Sequence, residues 1–600
     1  MSQLKTQNLK LGTLQGRLQS LLQGKDGLGI TVPEDLLPPF LLEANALVRS
    51  GLTEQAKALL SDANIRVIEH RVASDPSLTD LMYILARLLA DTGQYEAAER
   101  WYRRVLAAES HPLVWADLAK VCARGPYRLG EVLGCWEGAY RLDPDNPAFK
   151  AAYADSLMEF GRVSEGTALL QQVLQQTPDR PDLPLSWLWN LHYLPGPDRA
   201  FFFDQYTRVG RHYGPSTEIH GTSPCTRPLD PDLRLRVGIV SGDFKTNTPG
   251  SNYESFLELC DRDRFELLGY GNVENPDDAT GRVRSLVDVY RDIYGCPDEQ
   301  VAEQIRQDGI DILVEIGGYC GGNRLGVFLL RPAPVQVDLG WIDTLGLPQV
   351  GYRITDEMLD PPDTQRFFME RLVYLPGGLV PYRPPGESPL VGPLPATING
   401  YLTFGSFNNL RKINDLVLSL WGQVLRRIPD AHMVLKFPAA NDPAIRDDVK
   451  QRFQRLGIDP GRVRLCGTTS HFDHLSLLEQ VDVLLDCFPF NGYRTTVEGL
   501  WMGVPTITLA GSTFVAQMGR AILARLGLEA FVASTPGEYV AKACAFASQR
   551  DALGLIRGAL RERLLSSCLC DPSRFTRELE QALRWIWSDF CASQNPEAIR

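Results

Sequence analysis

From Leu235 onwards, short apolar segments alternate with longer amphipathic ones, and this alternation constrains the fold more than any other feature of the sequence. The strand-like segments of the first series are 235–240, 265–270, 310–316, 334–337 and 352–354. A stretch rich in proline and glycine, Pro376 to Gly400, separates them from a second series. The second series begins at Leu402 and continues at 433–437, 463–466, 481–486, 506–509 and 531–532. Short strands that alternate with helices predict parallel sheets, so we expect two α/β lobes that face each other across a cleft.

Two polar loops of the second series follow predicted strands, at the edge where an open parallel sheet binds its ligands. One loop ends in Lys412, and the other contains Thr495 and Glu498. The Thr-x-x-Glu spacing predicts a capping box, and therefore a helix start whose free N–H groups can bind phosphate. Lys412 would add a compact positive charge. Either feature alone is compatible with an ordinary capped helix or a surface lysine, but together they predict a site for a diphosphate.

The region from residue 1 to about residue 195 is predicted to be helical and contains a repeat of 34 residues. The positions that define the first unit are Leu85, Gly93, Tyr95, Ala98, Tyr102 and Leu106. One shift by the period finds Trp136, Ala139 and Pro144, and a second finds Leu157, Gly161, Leu170 and Pro178. This period is typical of tetratricopeptide repeats, in which each unit is a pair of antiparallel helices. Such solenoids have a concave surface that can hold an extended peptide.

The composition is that of a globular protein with several domains. The chain has 600 residues, of which 44% are hydrophobic and 22% charged. The first residues lack the layout of a signal peptide, and no apolar run approaches the ~20 residues of a membrane span. Twelve cysteines show neither disulfide nor zinc spacing. We therefore expect a cytoplasmic protein, and the net charge of −12 argues against nucleic acid as a partner.

Four motifs stand in order along the second half of the chain. They are Arg331-Pro332-Ala333-Pro334-Val335-Gln336, Phe404-Gly405-Ser406-Phe407-Asn408-Asn409-Leu410 with Lys412, Asn491-Gly492 followed by Thr495 to Pro505, and Cys570-Asp571. Together they resemble the bacterial relatives of O-linked N-acetylglucosamine transferase, over about Leu235 to Phe590. The repeats that precede them agree with this resemblance. It implies a tetratricopeptide-like α-solenoid followed by a two-Rossmann, GT-B glycosyltransferase region.

The sequence pattern predicts a division of the chain into five parts, and the resemblance implies the roles of the two lobes. Residues 1–195 would form the tetratricopeptide-like helical domain and residues 196–232 a linker. Residues 233–392 would form the N-terminal Rossmann-like lobe on the acceptor side, and residues 393–572 the C-terminal lobe that binds the UDP-sugar. Residues 573–600 would form a C-terminal helix.

The family uses a UDP-sugar as co-substrate with neither metal nor other cofactor, and it inverts the anomeric centre during transfer. By resemblance, Lys412 would neutralise the leaving diphosphate, because without a metal an ammonium group and a helix terminus must stabilise that charge. Glu498 would hold the uridine ribose, and His474 would line the uracil and ribose pocket. The donor-binding residues implied in this way are Asn409, His474, Asn491, Gly492, Thr495, Thr496 and Glu498.

The acceptor side departs from the family pattern. A histidine that the family carries after the first strand is Asn247 or Thr248 here, and none of the eight histidines lies between His220 and His432. That half therefore has no histidine to act as general base. Either a carboxylate takes this role, or water or the donor phosphate removes the proton. The candidate carboxylates are Asp243, Asp311 and Asp343.

The phosphate turn also differs from the family. Tyr493 and Arg494 replace smaller residues. Arg494 would either add a contact to the phosphate or form a salt bridge at the surface. Because the donor motifs are better preserved than the acceptor motifs, the sequence favours an altered acceptor or sugar over the loss of catalysis.

The resulting hypothesis is a cytoplasmic, bacterial protein O-glycosyltransferase. It would move one N-acetylglucosamine or glucose from UDP to a Ser or Thr of an acceptor polypeptide held in the repeat groove. One alternative is an Asn-glucosylating transferase of the adhesin-modifying type. Another is a non-catalytic GT-B adaptor that binds a partner through its repeats, and a third is a transferase that acts on a small molecule or glycan.

Overall fold

The computed structural model describes residues 38–75, 77–177, 182–213, 227–246, 248–379 and 381–594. The chain divides into two compact units. The first consists mainly of residues up to Phe160, with 168–176 and 442–445, and the second of 161–167, 177–441 and 446–600. In the described part of the chain, no helix has the length and apolarity needed to cross a bilayer.

Paired helices make up the N-terminal part of the described chain, up to residue 176. They are Pro39–Arg49, Thr53–Leu59, Asp62–Ser74, Thr79–Asp91, Tyr95–Ala108, Pro112–Cys122, Leu129–Leu142, Pro147–Glu159 and Val163–Gln176. The helices that begin at Tyr95, Leu129 and Val163 start 34 residues apart, which confirms the predicted repeat. The predicted repeat position Pro178 lies outside the described residues.

The same turn recurs where the first helix of each pair ends. Gly93 and Gly161 have φ of +77° and +85°, a conformation that glycine adopts without steric cost. Tyr127 stands at the same repeat position, one 34-residue period after Gly93 and one before Gly161, and has φ of +58°. The backbone of the repeat is thus retained where the sequence lacks its glycine.

The first sheet has seven strands in the order β3-β2-β1-β4-β5-β6-β7. The strands are β1 Leu235–Ser241, β2 Phe265–Gly271, β3 Val289–Asp292, β4 Ile312–Glu315, β5 Val335–Asp338, β6 Tyr352–Thr355 and β7 Arg371–Tyr374. The helices between them are Thr248–Leu259, Asp278–Leu286, Asp298–Asp308 and Leu325–Leu329. Each recorded pairing is parallel, as the alternation predicts.

The second sheet has six strands in the order β10-β9-β8-β11-β12-β13, again with parallel pairings. The strands are β8 Thr403–Ser406, β9 His432–Lys436, β10 Val463–Cys466, β11 Val483–Leu485, β12 Thr506–Leu509 and β13 Val532–Ala533. The helices of this lobe are Pro395–Asn399, Asp415–Arg427, Pro443–Arg455, His471–Leu478, Arg494–Trp501, Phe514–Ala524, Pro536–Ala547 and Arg550–Leu565. Central strands such as β8 and β12 are buried at every residue, as expected for sheets covered on both faces.

Two strands are absent from the sequence prediction, β3 and β7. Both lie at the edges of the first sheet. None of the four residues of β3 is fully buried, and Arg371 of β7 is exposed. An edge strand lacks the continuous apolar run by which central strands are recognised, so the sequence pattern missed them.

Three helices outside the α/β alternation pack against the first sheet. Asp182–Leu191 and Arg199–Tyr213 place Leu188, Phe202 and Tyr206 in the same core cluster as strand residues of β1 and β2. Pro572–Gln594 covers residues 573–594 of the predicted C-terminal helix, and its Trp587 indole donates to the Asp230 carbonyl at 2.8 Å. Residues 214–226 of the predicted linker and 595–600 of the predicted terminal helix lie outside the described residues. The domain limits stay predictions.

Candidate functional site

Lys412 lies at the carboxyl edge of the second sheet, in a short 3-10 turn that follows β8. Its Nζ donates to the Asn491 carbonyl at 2.8 Å and lies 4.3 Å from the centre of the Phe490 ring. The half-buried ammonium therefore faces the turn that leads into the helix Arg494–Trp501. The two loops singled out in the sequence meet at one end of the sheet, as the diphosphate site requires.

The turn from Asn491 to Thr496 is held by its own short contacts. Thr496 Oγ1 donates to the Gly492 carbonyl at 3.0 Å, and the Asn491 amide donates to the Cys487 carbonyl at 2.9 Å. A Cβ at Gly492 would lie 2.4 Å from Thr495 Oγ1. A side chain at this position would crowd the hydroxyls of Thr495 and Thr496, so the turn favours glycine.

The predicted capping box is wrong, although a helix does begin at this turn. The helix starts at Arg494 with Tyr493 as its N-cap residue, and no side chain caps it. Thr495 thus lies inside the first turn, and the Glu498 carboxylate is bound by other side chains. Backbone N–H groups of the first helical turn lack partners inside the helix and carry its positive dipole end, so the anion-binding property survives the correction.

Three basic side chains surround the buried Glu498 carboxylate. His471 Nε2 lies 3.0 Å from Oε1, and Arg494 Nε donates to the same oxygen at 3.0 Å. His474 Nε2 lies 3.1 Å from Oε2, without the angle of a hydrogen bond. Burial by itself raises the pKa of Glu498, but contacts with His471, His474 and Arg494 hold that pKa well below its usual value. Glu498 is therefore an anion at neutral pH.

Arg494 forms a salt bridge with Glu498, one helical turn away, but this partner is buried and does not lie at the surface. The Arg494 side chain also lines the cavity described below. A contact of Arg494 with the phosphate stays a prediction. Sequence reasoning did not single out His471, yet its ring nitrogen makes the better hydrogen bond to Glu498. The i, i+3 spacing of the two histidines on the helix His471–Leu478 was the available signal.

The structure brings Asn408, rather than Asn409, to the phosphate turn. Asn409 is exposed, and its side chain accepts from the Arg411 amide at 3.0 Å. Asn408 is buried and accepts from Thr495 Oγ1 at 3.4 Å. The two adjacent asparagines point to opposite sides of the chain as it leaves β8, which their order in the sequence does not reveal. A donor contact by Asn409 stays a prediction.

The three candidate bases have different surroundings. Asp311 precedes β4 and therefore lies at the opposite edge of the sheet, where it accepts from the Arg227 side chain and from the Arg236 amide. Its assignment as a base is wrong. Asp343 is buried between the Arg199 guanidinium at 3.1 Å and the Phe514 amide at 3.2 Å. Asp243 follows β1 at the carboxyl edge and lines the cavity.

A cavity of about 670 Å³ connects the carboxyl edges of the two lobes. The residues that line the cavity include Asp243, Lys245, Thr246, Tyr382, His471, Tyr493 and Arg494. Beside the cavity, Tyr493 of the second lobe packs against Trp341 of the first lobe, with ring centres 5.4 Å apart. The predicted positions Asn247 and Thr248 cannot be placed, because Asn247 and the side chain of Thr248 lie outside the described part of the chain.

Within the described residues, one group has the composition of a metal site, formed by Glu99, Cys122 and Glu131. Arg128 already pairs with both carboxylates, with a distance of 2.7 Å to Glu99. A guanidinium in this position neutralises the charge that a cation would need, so the group is an ion-pair cluster of the repeats.

Two parallel α/β lobes that share a cleft at their carboxyl edges, preceded by helical repeats, have the architecture of GT-B proteins. The model of glycosyl transferase family 41 matches residues 224–380 and 396–579, and a tetratricopeptide repeat model matches residues 137–183. The chain belongs to glycosyl transferase family 41.

Individual relatives agree with this assignment. The structure of a mutant of the Thermobaculum terrenum O-GlcNAc transferase has a TM-score of 0.77 and 31% identity, over 87% of this chain and 99% of that one. The Petunia hybrida protein named "Probable UDP-N-acetylglucosamine--peptide N-acetylglucosaminyltransferase SPINDLY" is 39% identical over 62% of this chain and 40% of its own length. The Arabidopsis thaliana protein of the same name ending in SEC is 27% identical over 61% of this chain and 38% of its own. This chain thus spans less than half of these curated relatives.

Proposed function

We propose that this protein transfers a single sugar, N-acetylglucosamine or glucose, from a UDP-sugar to a Ser or Thr hydroxyl of a polypeptide. The transfer inverts the anomeric centre and uses the protein's own charges in place of a metal. The repeats bind the acceptor polypeptide. The names of the curated relatives and of the T. terrenum enzyme support this proposal.

The observation that carries the proposal is the contact of Lys412 with the Asn491 carbonyl. This contact places an ammonium group beside the glycine turn at the start of a helix. The ammonium group and the helix start are the two sources of positive charge that a departing diphosphate needs. Glu498 lies on the same helix as a fixed anion, and a carboxylate in this position can accept hydrogen bonds from ribose hydroxyls. The donor end of the cleft is therefore equipped for catalysis, which favours an enzyme over an adaptor.

The direct test is mass spectrometry of candidate acceptor proteins after incubation with a panel of UDP-sugars. A mass increase of one sugar on Ser or Thr supports the proposal. Modification of Asn would support the adhesin-type alternative. Transfer only to free sugars would support the third alternative, and a protein that binds no UDP at millimolar concentration would point to the adaptor.

Lys412→Ala is expected to lower the rate of transfer by roughly 10²–10³-fold, because the leaving diphosphate loses its counter-charge. Single-turnover release of UDP measures this step directly. Lys542→Ala is the matched control, since Lys542 belongs to the same lobe but its ammonium pairs with Glu538 at 3.2 Å and donates to the Ala530 carbonyl at 2.8 Å, neither of which is part of the phosphate turn. Full activity of Lys412→Ala would refute the assigned role.

A further inference from the structure

A buried carboxylate lies directly beneath the phosphate turn. Asp486 follows β11 at the carboxyl edge of the second sheet and is 3% exposed. One of its oxygens accepts from the Gly492 amide at 2.7 Å and from the Cys487 amide at 2.9 Å. The other accepts from Thr508 Oγ1 at 2.8 Å. Both oxygens are thus fixed in place, and one of them holds the turn.

The same hydrogen bond determines where Lys412 is held. Gly492 follows Asn491, whose carbonyl accepts from the Lys412 ammonium. A shift of the Gly492 amide away from Asp486 would therefore move the acceptor of Lys412 as well. One carboxylate thus positions the turn and, through it, the lysine.

Asp486 also acts on Lys412 through its charge. Burial lowers the pKa of Lys412, whereas Asp486 raises it through its charge. Cys487 would raise it too as a thiolate, but burial raises the pKa of the Cys487 thiol well above its usual value, so this group is neutral near pH 7. The other groups around Asp486 are uncharged donors, namely the Thr508 hydroxyl and the Tyr539 hydroxyl, which donates to the Asp486 carbonyl at 2.9 Å. In the described surroundings of Lys412, Asp486 is the carboxylate that helps to keep the ammonium protonated.

We propose that Asp486 is a positioning residue for sugar-nucleotide transfer, which fixes the diphosphate turn through Gly492 and supports the charge of Lys412 from beneath. The inference rests on the proposed function, because it concerns how the same site binds its donor. Asp486 does not touch the donor in this arrangement. It acts through the backbone of the turn and through the lysine.

A pH dependence with two opposite signs follows from this arrangement. Burial raises the pKa of Asp486 to about 6, so below that pH the carboxyl group is protonated and no longer anchors Gly492 by a charge-assisted bond. Donor binding should therefore weaken as the pH falls through 6. The contribution of Asp486 to folding stability should instead increase as the pH falls. A raised pKa means that the folded state binds this proton more tightly than the unfolded state.

The test compares Asp486→Asn with Asp482→Asn in the full-length protein. Asp482 is a fully buried carboxylate just before β11, at the opposite edge of the sheet, and it accepts from the Thr403 and Ala396 amides. Asp482→Asn therefore reproduces the loss of a buried charge without touching the turn. By calorimetry at pH 7.5, Asp486→Asn should weaken UDP binding roughly tenfold, and Asp482→Asn should leave it unchanged.

Titration of Lys412 provides a readout that is independent of donor binding. In protein labelled with ¹³C at lysine Cε, the Lys412 signal, assigned by its loss in Lys412→Arg, should titrate at lower pH in Asp486→Asn than in the wild type. The inference is overturned if Asp486→Asn leaves both the UDP affinity and this titration unchanged, or if Asp482→Asn alters them equally. If the titration shifts but the wild type binds no UDP, the proposed function fails and the link from Asp486 to Lys412 stands.

Discussion

At the scale of single residues, the open chemical question is which group removes the proton from the acceptor hydroxyl. Of the three carboxylates that the sequence offered, Asp311 lies at the wrong edge of the sheet and Asp343 is paired with Arg199. Asp243 follows β1 at the carboxyl edge and lines the same cavity as Tyr493 and Arg494. A general base must be within hydrogen-bond reach of its proton, and Asp243 is the candidate that can approach a ligand in this cavity.

We predict that Asp243→Asn lowers the transfer rate by about 10²-fold or more, which is the usual contribution of a general base. The affinity for UDP should not change, because the donor end of the cleft is untouched. Transfer rates at saturating donor and calorimetric UDP binding separate the two effects. Asp311→Asn serves as the control and should keep its rate per folded molecule. An unimpaired Asp243→Asn would favour water or the donor phosphate as the proton acceptor.

At the scale of secondary-structure elements, the helical repeats depend on a left-handed residue between paired helices. Gly93 occupies this position between Thr79–Asp91 and Tyr95–Ala108, and a Cβ there would meet no atom within 4 Å. Any cost of a side chain at Gly93 therefore comes from the backbone alone. Gly134 is the matched control, because a Cβ added there would also meet no atom within 4 Å. It differs in its backbone, since it is an exposed residue inside the helix Leu129–Leu142.

The two glycines should respond to alanine with opposite signs. Gly93→Ala is expected to lower the free energy of unfolding by about 1–2 kcal/mol, because an L-residue is strained at positive φ. Gly134→Ala should raise it by about 0.5–1 kcal/mol, because alanine favours a helix interior. Denaturant unfolding followed by circular dichroism measures both. Equal effects of the two substitutions would contradict the role of the left-handed turn.

At the scale of the second unit, one arginine joins three parts of the chain. Arg199, on the helix Arg199–Tyr213, is buried and pairs with Asp343 and Asp360 of the first lobe. Its Nε donates to the Ser512 carbonyl of the second lobe at 2.6 Å. Asp343 in turn accepts from the Phe514 amide of the second lobe at 3.2 Å. The two lobes are thus linked through a buried network whose charges depend on each other.

Arg199→Met is expected to destabilise the protein by about 3–5 kcal/mol, because it leaves buried carboxylates without their counter-charge. Thermal unfolding should show a clear fall in Tm. Arg208→Met, on the same helix, removes an exposed pair with Asp204 at 3.0 Å and should cost less than about 1 kcal/mol. Comparable losses in both variants would show that the network contributes no more than a surface ion pair.

The sequence by itself determined the helical repeats, the two α/β series that follow them and the family, although it missed the edge strands β3 and β7. The 34-residue period and the alternation of strands and helices reappear in the structure at nearly the predicted residues, because helix and strand periodicities are local properties of the chain. It also determined that Lys412 and the Asn491 turn meet, since both follow strands of one parallel sheet. The same edge rule applied to Asp311, which precedes its strand, would have excluded it.

Only the tertiary structure decided which partners the polar side chains found. Glu498 could cap its own helix according to the sequence, but histidines from another helix and Arg494 bind it instead. Asp243 and Asp343 both follow strands of the first sheet, and only the approach of Arg199 and Phe514 shows that Asp343 is occupied. These contacts join residues that are far apart in the chain, and their free energy depends on burial and distance, which local spacing does not encode.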